Sequence, residues 1–175
     1  MRNSLLVLFW LLLGAGFAHK PFFPDGSSPF ELQELPTISQ AYYVTLAANE
    51  THTFLLPPLP EAVPVEVLVL DDELGRGLEL SAILICNSLR TKLPEVDIPF
   101  YEEFSKRHHR YRVRERIGPT ENPCELTVHE RNGVVAPYTF AIGAVESFGF
   151  ADVAGFFSLG AKLKAWESAG LSESP

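Results

Sequence analysis

The chain has 175 residues with 22 acidic and 14 basic side chains, a formal charge of −8, and 46% hydrophobic residues. That balance excludes a general nucleic-acid binder, whose affinity rests on a basic surface. The length fits one ordinary domain.

Arg2 precedes an unbroken apolar run from Leu5 to Leu13, and Gly16 and Ala18 are spaced for cleavage after Ala18. Residues 1–18 therefore read as a secretory signal peptide, the apolar run being too short for a membrane span of about 20 residues. The mature chain is expected to begin at His19 and to be secreted, periplasmic or held at the cell surface. A second apolar run is missing and the tail over 168–175 is small and polar, so no membrane or lipid anchor is expected.

Residues 19–40, rich in Pro, Ser and Gly at first, predict an extended N-terminal arm. A β-domain is expected over 41–150. Tyr42, Val44 and Leu46 alternate on one strand, Phe54 and Leu56 on the next, and Asn49-Glu50 between them predicts a hairpin. After Pro57-Pro58-Leu59-Pro60, Val65, Val67 and Val69 mark another strand. Leu80 to Ile85 is nearly all apolar, which predicts a central strand buried on both faces. The stretch 93–105, interrupted by Pro94 and Pro99, predicts a loop, and Tyr111 to Ile117 a strand. Leu126 and Val128, the turn Arg131-Asn132-Gly133, and Tyr138, Phe140 and Ile142 predict a second hairpin over 123–149. The sum is an all-β fold, an antiparallel β-sandwich of the jelly-roll kind with about seven or eight strands.

Phe156, Leu159, Leu163 and Trp166 fall three or four apart, predicting a short C-terminal helix over 151–167 and a flexible tail over 168–175. That helix either rests on a membrane or partner, or covers an open end of the sandwich. Cys86 and Cys124 both occupy the inward phase of their strands, and in an exported chain they are expected to form a disulfide.

The start His19-Lys20-Pro21, the strand Tyr42-Tyr43-Val44, the run Tyr138 to Gly143 and the Glu146-Ser147-Phe148-Gly149 that follows resemble a group of secreted bacterial proteins of uncharacterised function. Their fold is similar to the jelly-roll sandwich of bacterial pre-peptidase C-terminal domains. The resemblance implies export and a sandwich, and it implies no activity.

No nucleophile elbow, His-Glu-x-x-His helix, phosphate-binding glycine loop or Cys-x-x-Cys pair is found, and no spacing joins a nucleophile to a base. The expectation is a protein that is not an enzyme and needs no cofactor. Arg110, Arg112, Arg114 and Arg116 recur at period two, which places four guanidiniums on one face with Tyr111, Val113 and Ile117 opposite. Such a row requires anions. Either neighbouring Glu and Asp supply them, or an anionic glycan, a lipid headgroup of a membrane surface or an acidic protein partner does. A secreted binding or accessory module is the leading reading.

Cleavage after Ala18 would also free the amine of His19, which together with its ring can chelate a metal, similar to the copper-holding arrangement of histidine-brace proteins. A copper-binding protein is the alternative reading, with His108 and His109 as the named partners and His52 and His129 as further candidates. Asp71-Asp72-Glu73 lacks the spaced ligands of a calcium loop and reads as a solvated turn.

Overall fold

The computed structural model describes residues 19–25, 27–102, 107–147 and 160–168. The signal peptide, the first part of the expected C-terminal helix and residues 169–175 of the expected tail lie outside the described residues. Among the described residues eleven strands form: β1 (Lys20–Phe22), β2 (Phe30–Glu31), β3 (Gln40–Leu46), β4 (Thr51–Leu56), β5 (Val63–Leu70), β6 (Leu80–Cys86), β7 (Leu89–Lys92), β8 (Glu95–Glu102), β9 (Arg107–Ile117), β10 (Cys124–Glu130) and β11 (Ala136–Ile142). A short helix α1 (Glu73–Gly77) is capped by the Asp72 side chain, which accepts from the Gly75 amide at 2.7 Å. Residues 160–168 form helix α2.

The strands make a sandwich of two sheets, one ordered β1-β3-β11-β5-β9-β8 and the other β2-β4-β10-β6-β7. The all-β sandwich is as expected, but with eleven strands rather than seven or eight, and not wholly antiparallel. The extra strands include two from the arm: β1 runs parallel to β3, and β2 parallel to β4. Each covers part of an edge that would otherwise offer unpaired backbone groups.

Neither expected hairpin forms. β3 and β11 lie in the six-stranded sheet, whereas β4 and β10 lie in the five-stranded one. The connections at Asn49 (φ 62°) and Gly133 (φ 69°) are therefore arches that carry the chain across the core. A period of two reveals which face of a strand is apolar, and both arrangements bury that face; only pairing tells them apart. The two arches pack together, and a Cβ at residue 133 would collide with the Asn49 side chain.

The hairpins that do form were not read from the sequence. Asn87 (φ 50°) and Ser88 (φ 66°) join β6 to β7, both with the positive φ that a two-residue hairpin turn demands. β8 pairs with β9 through the stretch expected to be a loop, where Pro99 is tolerated because β8 is an edge strand. β6 is accordingly flanked by β10 and β7, one place in from the edge, with Ile83 and Ile85 half-buried.

Between the sheets, Tyr42, Phe54, Phe140, Leu126, Val65 and Val67 are almost wholly buried, and the Phe54 and Phe140 rings stack with centroids 4.0 Å apart. His52 is held inside this layer by the Tyr138 hydroxyl at 3.0 Å from Nδ1. Cys86 and Cys124 face each other in register and form the expected disulfide, which closes a separation of 38 residues. Trp166 anchors α2 on the outer face of the six-stranded sheet: its Nε1 donates to the Val44 carbonyl at 2.9 Å and its ring packs edge-on against Tyr43. The described part of the helix thus covers a sheet face, while Phe156 and Leu159 lie outside the described residues.

Candidate functional site

The arginine row is broken by the backbone. β5 and β9 pair Val67 with Val113 and Leu68 with Tyr111, so Arg112 has no opposite number and forms a bulge. One inserted residue reverses the facing of everything before it. Tyr111 therefore lands on the outer face with Leu68 and Ala141, while Val113 and Ile117 enter the main core. Arg114 and Arg116 point outward, and Arg110 and Arg112 reach toward α1. The expectation of four guanidiniums on one face, opposite Tyr111, is corrected by this bulge.

Each guanidinium also meets an acceptor of the protein itself. Arg110 grips Asp97 with two bonds, 2.7 and 2.9 Å, and lies 3.3 Å from Asp71. Arg112 shares Asp97 at 2.9 Å and donates to the Gly75 and Arg76 carbonyls at the end of α1, both at 2.8 Å. Arg114 pairs with Glu66 at 3.1 Å and lies over the Tyr111 ring, 4.7 Å from its centroid. Arg116 donates to the Ala62 carbonyl. The hydrogen bond from Arg110 holds the Asp97 carboxyl below its ordinary range, and the bond from Arg76 does the same for Asp71. Asp97 and Asp71, the groups that gather Arg110 and Arg112, lie in segments that the sequence predicts as a loop and a solvated turn.

A different site emerges on the outer face of the six-stranded sheet. Cross-strand pairing aligns Ala41 with Ala141 and Ala141 with Glu66 in one row, and Tyr43, Thr139, Leu68 and Tyr111 in the next. The small Ala41, Ala141 and Thr139 leave a floor, and Tyr43, Phe100 and Tyr111 stand around it as walls. His19, delivered by the parallel pairing of β1, and Glu102 and His109 complete the rim. The recess holds roughly 50 Å³. That admits a head group of a few atoms, well short of the several hundred Å³ that a drug-sized ligand occupies.

Its polar groups are perturbed by burial. Glu66, 9% exposed, is pushed up by desolvation and drawn partly back by Arg114. Burial lowers both His19 and His109, against the opposing field of Glu102 on each and of Glu146 on His19. Burial raises the Tyr111 hydroxyl to about 12 and moves that of Tyr43 further in the same direction. The Thr139 hydroxyl, on a residue only 5% exposed, has no hydrogen-bond partner among the described residues. Buried polar atoms are ordinarily hydrogen-bonded, so this hydroxyl stands apart from the rest of the face.

Of the histidines considered for His19, only His109 shares the recess. His108 is exposed and packs against Tyr101, with ring centroids 4.9 Å apart; His52 is enclosed between the sheets, and His129 lies on β10 of the other sheet. Among the described residues no group of three or more His, Cys, Asp or Glu is arranged to hold a metal ion. Nor is any described helix long and apolar enough to cross a membrane.

No protein-family model matches the chain, and no curated protein matches it. A solved structure that resembles it is a periplasmic inhibitor of g-type lysozyme from Salmonella Typhimurium, at 12% identity and a TM-score of 0.36, covering 72% of this chain and 98% of that one. At this level of similarity nothing about the inhibitor transfers to the present chain.

Proposed function

We propose that the chain is an exported, non-enzymatic binding module whose recess receives a cationic side-chain head group, the guanidinium or ammonium of a protein partner. The observation that carries the reading is the buried Thr139 hydroxyl without a partner among the described residues, set on the floor of a small recess bounded by three aromatic rings and two carboxylates. Aromatic faces attract cations and carboxylates bond them, so Glu102 with Tyr43 and Phe100 would meet the incoming head group, Glu66 and Tyr111 being engaged by Arg114. The full chain's charge of −8 favours encounter with a basic partner. The arginines, engaged by their own protein, are assigned a structural part.

The test is an NMR titration of the processed chain with Nα-acetyl-arginine amide and with its neutral citrulline counterpart. Saturable shifts of Thr139, Ala141 and Tyr111 are expected with the arginine compound only, and Glu102→Gln should weaken them severalfold. Equal response to citrulline, or none to either compound, would sink the reading.

One observation favours a second reading: His19 and His109 line the same recess, so the freed amine and ring of His19 with the ring of His109 could hold copper. Metal analysis of protein whose N-terminus has been verified by mass decides it. One tightly held copper per chain, lost on His19→Ala, would establish the metal reading over the cation reading.

A further inference from the structure

The loop between β2 and β3 exposes an apolar side chain on a backbone that is bonded from several directions. Leu35 is 71% exposed, the largest exposure among the described hydrophobic residues of its size. Beneath it the fully buried Gln40 accepts from the Glu34 amide at 3.0 Å and donates to the Leu35 carbonyl at 3.0 Å and the Ile38 carbonyl at 3.3 Å. Tyr42, equally buried, accepts from the Gln33 amide at 2.7 Å and donates to Gln40 at 2.7 Å. On the far side Thr37 accepts from the Ala144 and Val145 amides, and Ser39 donates to Val145. Gly143, at φ 86°, lies so close to the Pro36 and Ile38 carbonyls that any Cβ would strike them. Two buried polar side chains are thus devoted to holding this loop, a costly use of a core position unless the loop's shape matters.

The loop is also one wall of a groove. Leu35, Pro36 and Pro57 line it above the buried Leu56 and Cys124, around an open space of about 670 Å³, and the exposed Glu31 and Glu125 line it too. Glu34, also lining it, is paired with Lys20 at 2.7 Å. None of the described residues lining the groove is Lys or Arg. We infer that this groove is a second docking surface, taking an extended segment of a partner protein that carries apolar side chains beside Lys or Arg. The apolar walls take the former and the Glu31 and Glu125 carboxylates the latter. Because the loop is already ordered, binding loses little conformational freedom there. The groove lies at the β2 and β4 edge of the five-stranded sheet and shares no lining residue with the recess.

The probe is the acetylated, amidated pentapeptide of sequence Lys-Leu-Arg-Leu-Lys, titrated into the isotope-labelled processed chain, with Glu-Leu-Glu-Leu-Glu as control. The basic peptide is expected to give saturable shifts confined to residues 31–36, 55–57 and 123–125. Leu35→Ser should weaken its binding about tenfold or more, and so should Glu31→Gln with Glu125→Gln. Gln40→Leu should weaken it too, while speeding amide exchange of residues 33–38 and leaving the sheet resonances in place. Absence of saturable shifts, equal binding of the acidic peptide, or indifference to Leu35→Ser would overturn the inference. Shifts at Thr139 and Tyr111 are read in the same spectra, so failure at the groove is distinguishable from failure at the recess.

Discussion

The two outer faces of the sandwich are built from the same alternation and end up unlike each other. On the five-stranded sheet, β4 and β10 alternate between buried and less buried positions, with Thr51 exposed and Thr53, Thr127 and His129 half-buried on the side away from the core. On the six-stranded sheet β11 is buried at every position and β5 at nearly every one. Among the described residues, Arg114 lies over Tyr111 on that outer side, helix α2 packs on neighbouring β3 through Trp166, and the recess opens between them. A sheet face acquires a site when its central residues are small and its neighbours are large. Ala41, Thr139 and Ala141 are small, and Tyr43, Phe100 and Tyr111 are large.

The two sides of the six-stranded sheet differ most sharply at neighbouring residues of β11. Phe140 faces the core and Ala141 the recess. Phe140→Ala should destabilise the chain by about 3–5 kcal/mol in denaturant titrations, because it removes a stacked ring from the layer between the sheets. A loss below 1 kcal/mol would mean that the inner layer is not packed as described. Reduction of the disulfide should cost about 4 kcal/mol in the loop-entropy account, read as a lower urea midpoint in reductant, with recess binding unchanged once the chain is folded.

A smaller effect is expected from the arginines. Replacing Arg112 and Arg114 together by Gln removes two carbonyl bonds at the end of α1 and the partner of buried Glu66. About 2 kcal/mol of stability should be lost, seen as a lower melting temperature, without gain or loss of affinity for heparin or anionic vesicles. Lost affinity for an anionic surface at unchanged stability would instead return these residues to a binding role.

The smallest effect is the pH response. His19, His52 and His109 titrate below their unfolded value of 6.5 because burial disfavours the charged ring. Below pH 6.5 the unfolded chain therefore binds more protons, and stability should fall as the pH is lowered through that value. Glu66 acts with the opposite sign, since its raised titration point means the folded chain takes up that proton first. The slope should flatten in His109→Gln.

Much of the fold was legible in the sequence: the inward phases of Val65, Val67, Tyr138 and Phe140, the pairing of Cys86 with Cys124, and the helical spacing of Leu163 and Trp166 all report burial, which periodicity encodes. Pairing is not encoded in that way, so the sequence predicts hairpins where arches form and a loop where the edge strand β8, carrying Pro99, runs. The bulge at Arg112 left no mark, since a regular run of alternating arginines looks the same with or without it. The recess was hidden for another reason: its floor comes from β3 and β11 and its walls from β3, β8 and β9, whose residues meet only through register. His19 and His109 were both singled out, yet nothing in their spacing joined them.

On the proposed function, the opening over Ala141 receives a cationic head group. Ala141→Leu fills that opening without touching the inner core, and the chain should remain folded, with shifts of inner-face residues such as Val65 and Leu126 unchanged. Titration of wild type and variant with Nα-acetyl-arginine amide at neutral pH should then give a saturable shift at Thr139 in the wild type and none in the variant. An unchanged response in Ala141→Leu, or no saturable response in the wild type, would contradict the account.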